Sequence, residues 1–156
     1  MQNQTDTISA ISTPPGIGGI SIIRISGENA INVLSKSYKG KIAPKDFKTH
    51  SIYFGEIFDA NQLVDEVLVS VFIAPHSYTG EDVIEISCHG GNFVTQRILQ
   101  IILRNGARMA LPGEFTKRAF LNGKMDLTEA EAVIDLIQAK TKHSQEIAIY
   151  QLEGKL

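Results

Sequence analysis

Three charged residues stand where charge calls for an explanation. Arg24 lies inside the apolar run Ile20–Ser26 (ISIIRIS), Glu85 inside Val83–Cys88 (VIEISC), and Lys124 between two helix signals. Alternate side chains of a strand share a face. Arg24 therefore shares a face with Ile20 and Ile22, and Glu85 with Val83 and Ser87. A carboxylate in a core strand is costly without donors, and a guanidinium against apolar neighbours needs a partner, a ligand or a route to water along its own stem. Either Arg24 and Glu85 satisfy each other, or a ligand satisfies them. Other chemistry-bearing residues are weaker candidates. His89 opens the turn His89-Gly90-Gly91 and has the chemistry of a general base, but no second residue builds a catalytic dyad with it in the sequence, so a structural role is expected. Cys88 is expected in the core as a small hydrophobe. The run Thr13-Pro14-Pro15-Gly16 with Gly18-Gly19 bends the backbone sharply but is no phosphate-binding fingerprint. No catalytic residue and no metal site is assigned.

The elements that must hold these residues follow from periodicity. Thr7–Ile11 reads as a short strand, and Ile20–Ser26 as a second. Gly27–Ser35 reads as an amphipathic helix with Ala30, Ile31, Val33 and Leu34 buried. Residues 36–48 carry five lysines (Lys36, Lys39, Lys41, Lys45, Lys48) and Pro44, and read as a solvated loop that could touch RNA phosphates. Ser51–Phe58 and Val64–Ile73 form a hairpin around Asp59-Ala60-Asn61-Gln62, with Val67, Val69, Val71 and Ile73 on one face. After Val83–Cys88, a helix is predicted over Asn92–Arg104, stopped by Asn105-Gly106, then a short strand over Arg108–Leu111.

The stretch Pro112–Ile137 is a junction. Pro112-Gly113 opens one helix, Gly123 closes it, and Asp126 with Glu129 makes a capping-box-like start for the next. Lys124 sits at the end of the first helix, where the macrodipole favours a cation. The second helix continues to about Leu152, with Leu127, Ala130, Ile134 and Ile137 on one stripe and Ile147 and Tyr150 further on. At about 25 residues it is about 38 Å long. Its apolar face needs partner helices, so an N-terminal fragment of a longer protein, or a partner chain, is expected.

Composition sets broad limits. The 156 residues suffice for a real core, and 43% hydrophobic with 21% charged residues is ordinary for a globular protein. A net charge of −2 disfavours a strongly basic nucleic-acid module, and one cysteine excludes an internal disulfide. No apolar run approaches the ~20 residues of a membrane span, and the N-terminus has no secretory signal pattern.

Three motifs in order, TPPGIGGISIIRISG (Thr13–Gly27), SYTGEDVIEISCHGG (Ser77–Gly91) and PGEFTKRAFLNGKMDLTEAEAVIDLI (Pro112–Ile137), resemble the N-terminal part of the MnmE (TrmE) family of tRNA modification GTPases. The resemblance covers nearly the whole chain. It implies an α+β fold: one half-unit of the folate-binding, aminomethyltransferase-like fold with a mixed sheet and helices, followed by the first long helix of a helical domain. The division implied is 1–118 for a tetrahydrofolate-binding and dimerisation domain and 119–156 for the start of the helical one. In the family, a reduced folate meets the positions matched here by Arg24, Glu85 and Lys124. A pterin offers an amino group and a ring N–H side by side, which a carboxylate accepts as a pair, and cations suit the folate carboxylates and one-carbon oxygen.

The implied cofactor is 5-formyl- or 5,10-methylene-tetrahydrofolate. The whole protein would also use GTP, Mg²⁺ and K⁺, at a centre outside this chain, which contains neither G-x-x-x-x-G-K-[ST] nor Asn-Lys-x-Asp. The implied partners are a second copy of the chain, the flavoprotein MnmG (GidA) and tRNA, whose wobble uridine (U34) is modified at C5; no membrane is implied, and the location is cytoplasmic. This segment would bind rather than catalyse. Two departures stand out: many relatives carry a basic residue at Ile17, and a further lysine contact near the C-terminus of the family's full-length protein has no counterpart here. The competing readings are a stand-alone aminomethyltransferase-like protein and a dimerisation module in which Arg24 and Glu85 pair only with each other.

Overall fold

The computed structural model describes residues 6–14 and 18–152, backbone only at 144, 148, 151 and 152. Seven strands make one sheet: β1 (Ile8–Ile11), β2 (Ile20–Ser26), β3 (Tyr38–Gly40), β4 (Ser51–Asp59), β5 (Gln62–Phe72), β6 (Val83–His89) and β7 (Arg108–Met109). Their order across the sheet is β3-β4-β5-β6-β2-β1-β7. The β1–β7 pair is parallel and the other neighbours are antiparallel, so the sheet is mixed, as expected. The helices are α1 (Ala30–Ser35), α2 (Asn92–Arg104), α3 (Glu114–Leu121) and α4 (Leu127–Leu152).

Register gives the two sheet faces opposite characters. Ile23 and Ile25 of β2 lie beside Ile86 and Ile84 of β6, which lie beside Val69 and Val71 of β5. All six are buried, and they form one core with Ala30, Val33 and Leu34 of α1 and Ile98, Leu99, Ile101 and Ile102 of α2. Each fully buried Ile or Leu contributes roughly 1.5–3 kcal/mol relative to an exposed one. The opposite face carries Arg24, Glu85, Ser70 and Ser87 with exposed Ile20, Phe54 and Leu68. The face that Arg24 shares with Ile20 and Ile22 is thus the open one, and its charge escapes full burial.

Several boundaries differ from expectation. The lysine-rich stretch is not all loop: Tyr38–Gly40 pairs with β4, and Tyr38 turns its ring inward while its hydroxyl donates to the Phe54 carbonyl at 3.2 Å. Lysine density hid a strand whose single inward residue supplies its packing. The hairpin loop shortens to Ala60-Asn61, because the ladder continues to Asp59 and Gln62 beyond a bulge at Ile57/Phe58. Helix α1 starts at Ala30 rather than Gly27, and β7 ends at Met109.

At the junction, Asp126 Oδ1 accepts the Glu129 N–H at 2.8 Å, so the expected cap is present. That bond holds the Asp126 carboxyl below its ordinary value. In α4, Ala130 is buried and Ile134 and Ile137 are half-buried, but Leu127 is 53% exposed and falls off the stripe. Ile147 and Tyr150 are exposed. The 118/119 division lies within α3, where Ala119 is fully buried. Among the described residues no helix is long and apolar enough to cross a membrane.

Candidate ligand site

Strand pairing places Arg24 directly opposite Glu85 on neighbouring strands. Arg24 Nε and Nη2 both donate to Glu85 Oε2, at 3.3 and 3.2 Å, and the side chains are 25% and 24% exposed. Among the described residues, Glu85 Oε1 and Arg24 Nη1 have no hydrogen-bond partner, yet neither is sealed from solvent. The pair therefore keeps one acceptor and one donor free for a ligand on the open face. A flat heterocycle with adjacent N–H donors fits the carboxylate, and an acceptor fits the guanidinium.

Two aromatic rings flank the guanidinium. Arg24 Cζ lies 5.4 Å from the Tyr78 ring centre and 5.2 Å from that of Phe115, within cation–π range. Tyr78 comes from the loop between β5 and β6, and Phe115 from α3. The Tyr78 hydroxyl shares a 2.7 Å hydrogen bond with Thr116 Oγ1.

Lys124 is not brought into contact with this pair. Its N–H donates to the Ala119 carbonyl at 2.8 Å, closing α3, and its exposed ammonium forms no ion pair among the described residues. Its stem passes the Tyr78 loop: Lys124 Cγ is 3.5 Å from the point where a side chain on Gly80 would begin. Two of the three expected site residues thus meet, and the third borders the loop that carries Tyr78.

A buried charge network escaped sequence reasoning. Arg118, 4% exposed, donates from Nη2 to Asp6 Oδ1 at 2.6 Å, and from Nη1 to the Asp6 carbonyl at 2.6 Å and to both Glu81 oxygens at 3.2 and 3.1 Å. Arg108 pairs with Asp6 at 2.7 Å and with Glu114 at 2.6 Å. Hydrogen bonds from Arg108, then those from Arg118, pull the Asp6 carboxyl below its ordinary value against the effect of burial. Burial pushes Glu114 up most strongly, but bonds from Arg108 and the Leu111 N–H outweigh it and leave the carboxyl lowered. The Arg108 guanidinium is correspondingly shifted up, chiefly by its bonds to Glu114 and Asp6. The only trace in the sequence is the i,i+4 spacing of Glu114 and Arg118, and that spacing usually marks a solvated helix face.

His89 has a partner that its sequence neighbours did not show: its backbone N–H donates to Asp65 Oδ2 at 2.8 Å, and its Nδ1 lies 2.7 Å from Asp65 Oδ1. The imidazole lines a hollow of about 350 Å³ on the open sheet face, with Ile20, Phe54, Leu68 and Ser87. Cys88 is buried as expected, which pushes its thiol up.

Comparison with known proteins agrees with the architecture. Residues 7–124 match the family model described as "GTP-binding protein TrmE N-terminus". The chain is 58% identical over 153 residues to "tRNA modification GTPase MnmE" of Lacticaseibacillus paracasei, covering 97% of this chain and 33% of that protein. It is 59% identical over 153 residues to the protein of that name from Lactiplantibacillus plantarum, with the same 97% and 33% coverage. It is 56% identical over 164 residues to that of Enterococcus faecalis, covering 100% of this chain and 35% of the relative. The chain thus spans about a third of the length of the curated relatives it matches. Its mixed sheet, helical junction and matched residues assign it to the MnmE (TrmE) family, to whose N-terminal part it corresponds.

Proposed function

We propose that this chain binds a reduced folate, 5-formyl- or 5,10-methylene-tetrahydrofolate, on the open sheet face, with Glu85 accepting the pterin amino and ring N–H groups. Arg24 and Lys124 are the cations for the one-carbon oxygen and the folate carboxylates. The observation that carries this reading is the Arg24–Glu85 pair, which leaves Glu85 Oε1 and Arg24 Nη1 without a hydrogen bond among the described residues, neither of them sealed from solvent. A pair that served only the fold would gain more by using both carboxylate oxygens.

The same domain pairs with a second copy through the sheet face that exposes Ile20, Phe54 and Leu68. Residues 119–156 begin the helical domain, whose long helix is α4 (Leu127–Leu152). The whole protein hydrolyses GTP with Mg²⁺ and K⁺. With a flavoprotein partner, MnmG, it uses the folate carbon to modify the wobble uridine of tRNA in the cytoplasm. The family name and the relatives' names support the GTPase and tRNA parts of this reading.

One observation favours a second reading. Arg24 and Glu85 do bond to each other, as a dimerisation module without a ligand requires. Calorimetry with 5-formyltetrahydrofolate separates the two. Saturable heat that Glu85→Ala abolishes supports folate binding. A folded dimer that gives no heat at high ligand concentration supports the second reading.

A further inference from the structure

The Arg24 guanidinium meets groups from three elements: it bonds to Glu85 of β6, and its Cζ lies over the rings of Tyr78 of the β5–β6 loop and Phe115 of α3, at 5.4 and 5.2 Å. The two rings keep their spacing only if the loop and α3 keep theirs. Links between loop and helix also run through residues other than the two rings. Arg118 Nη1 reaches both Glu81 oxygens at 3.2 and 3.1 Å, and Asn122 Nδ2 donates to the Thr79 carbonyl at 2.8 Å. Glu81 is held in turn by the Ser26 hydroxyl at 2.8 Å, and Ser26 Oγ lies 2.8 Å from Thr79 Oγ1. The Tyr78–Thr116 hydrogen bond closes the loop onto α3 at 2.7 Å.

Arg118 is 4% exposed and Glu81 is 17% exposed. A buried ion pair is a poor source of net stability, because desolvation offsets the attraction. It does impose one geometry, because any other arrangement leaves a buried charge unsatisfied.

We propose that Arg118, through Glu81, is a positioning residue for the ligand site: it fixes the Tyr78–Phe115 gap that orients Arg24, so that Arg24 Nη1 and Glu85 Oε1 face a flat heterocyclic ligand together. This rests on the folate reading above for the ligand, but the orientation of Arg24 is testable without one. A group over a ring face is shielded by the ring current, so the Arg24 Nε–H resonance of the ligand-free protein reports how the guanidinium sits against the two rings.

The test measures that resonance and 5-formyltetrahydrofolate affinity in the wild type, Glu81→Gln, Tyr78→Leu and the double variant, with circular dichroism as the folding control. The expected result is a downfield move of the Arg24 resonance in both single variants. Each single variant is expected to lose roughly tenfold in affinity, and the double variant to lose no more than Tyr78→Leu alone, since coupled residues are non-additive. Losses that multiply, or an Arg24 resonance in Glu81→Gln identical to the wild type, overturn the proposal. If Glu81→Gln does not fold, Ser26→Ala, which removes the hydroxyl that donates to Glu81 Oε1, carries the same comparison. A wild type that gives no heat with the folate refutes the folate reading, and the Arg24 resonance still decides the positioning role.

Discussion

Both hydrogen bonds from Arg24 converge on a single oxygen of Glu85, although the two residues lie 61 positions apart in the chain. Direct cross-strand pairing brings them together, and the second carboxylate oxygen is not sealed from solvent. The pair uses one carboxylate oxygen and leaves the other without a hydrogen bond among the described residues. Its role is a question of affinity more than of stability, because a partly exposed pair contributes little to folding.

Substitution of Glu85 by Gln is therefore expected to keep the fold and reduce folate affinity by roughly tenfold to a hundredfold, the worth of a charge-assisted hydrogen bond of about 1.5–3 kcal/mol. Titration calorimetry beside a thermal melt checks both halves. Equal affinity in the variant would remove Glu85 from the site.

Lys124→Ala is expected to weaken folate binding while the fold and dimer persist. The side chain is exposed, and only its backbone N–H helps to close α3, so truncation costs little stability. Sedimentation and circular dichroism report fold and dimer. An unfolded variant would mean that the cation matters as a helix-end charge instead.

Acid should loosen the junction before the core. Asp6 and Glu114 have ordinary values of 3.8 and 4.5 and are both lowered in the folded chain. A lowered carboxyl pKa contributes stability that is fully present above the unfolded value and is lost as pH falls through the folded one. The contribution of this network is thus intact above about pH 5 and fades as pH falls through about 4 and below. Thermal midpoints from pH 7 to pH 3 should fall in that window, and less steeply in Glu114→Gln. A midpoint independent of pH there would contradict the assignment.

Gly80→Ala is expected to destabilise the Tyr78 loop by about 1–2 kcal/mol, the cost of a left-handed residue with a side chain. Gly80 has φ 82°, and an added Cβ would lie 2.8 Å from Asn122 Cβ, too close without a shift. Hydrogen exchange should increase at residues 76–82 rather than across the whole sheet. Unchanged exchange would show that the loop absorbs the methyl group.

Much of this molecule was written locally. Period-two alternation marked β2 at its observed bounds and placed Ile23 and Ile25 on one face. Apolar spacing with a terminal Asn-Gly marked α2, and an Asp-x-x-Glu start marked α4. Arg24 and Glu85 stood out for the same reason: a charge that breaks a strand's pattern needs a partner, and local pattern is enough to show it. The partner's identity was not local. Strand register depends on every connection between β2 and β6, and only the folded sheet put Arg24 opposite Glu85 rather than one residue along, on the other face. Arg118 meets Asp6 across 112 positions and Glu81 across 37, and Asp65 meets His89 across 24. Such contacts leave no periodic trace, because they depend on how elements pack rather than on how each one forms. Tertiary structure likewise turned part of a lysine-rich loop into β3, where Tyr38 packs against the core. The sequence by itself determined which residues carried a charge that needed answering. Strand register decided which atoms answer it and which stay unpaired among the described residues.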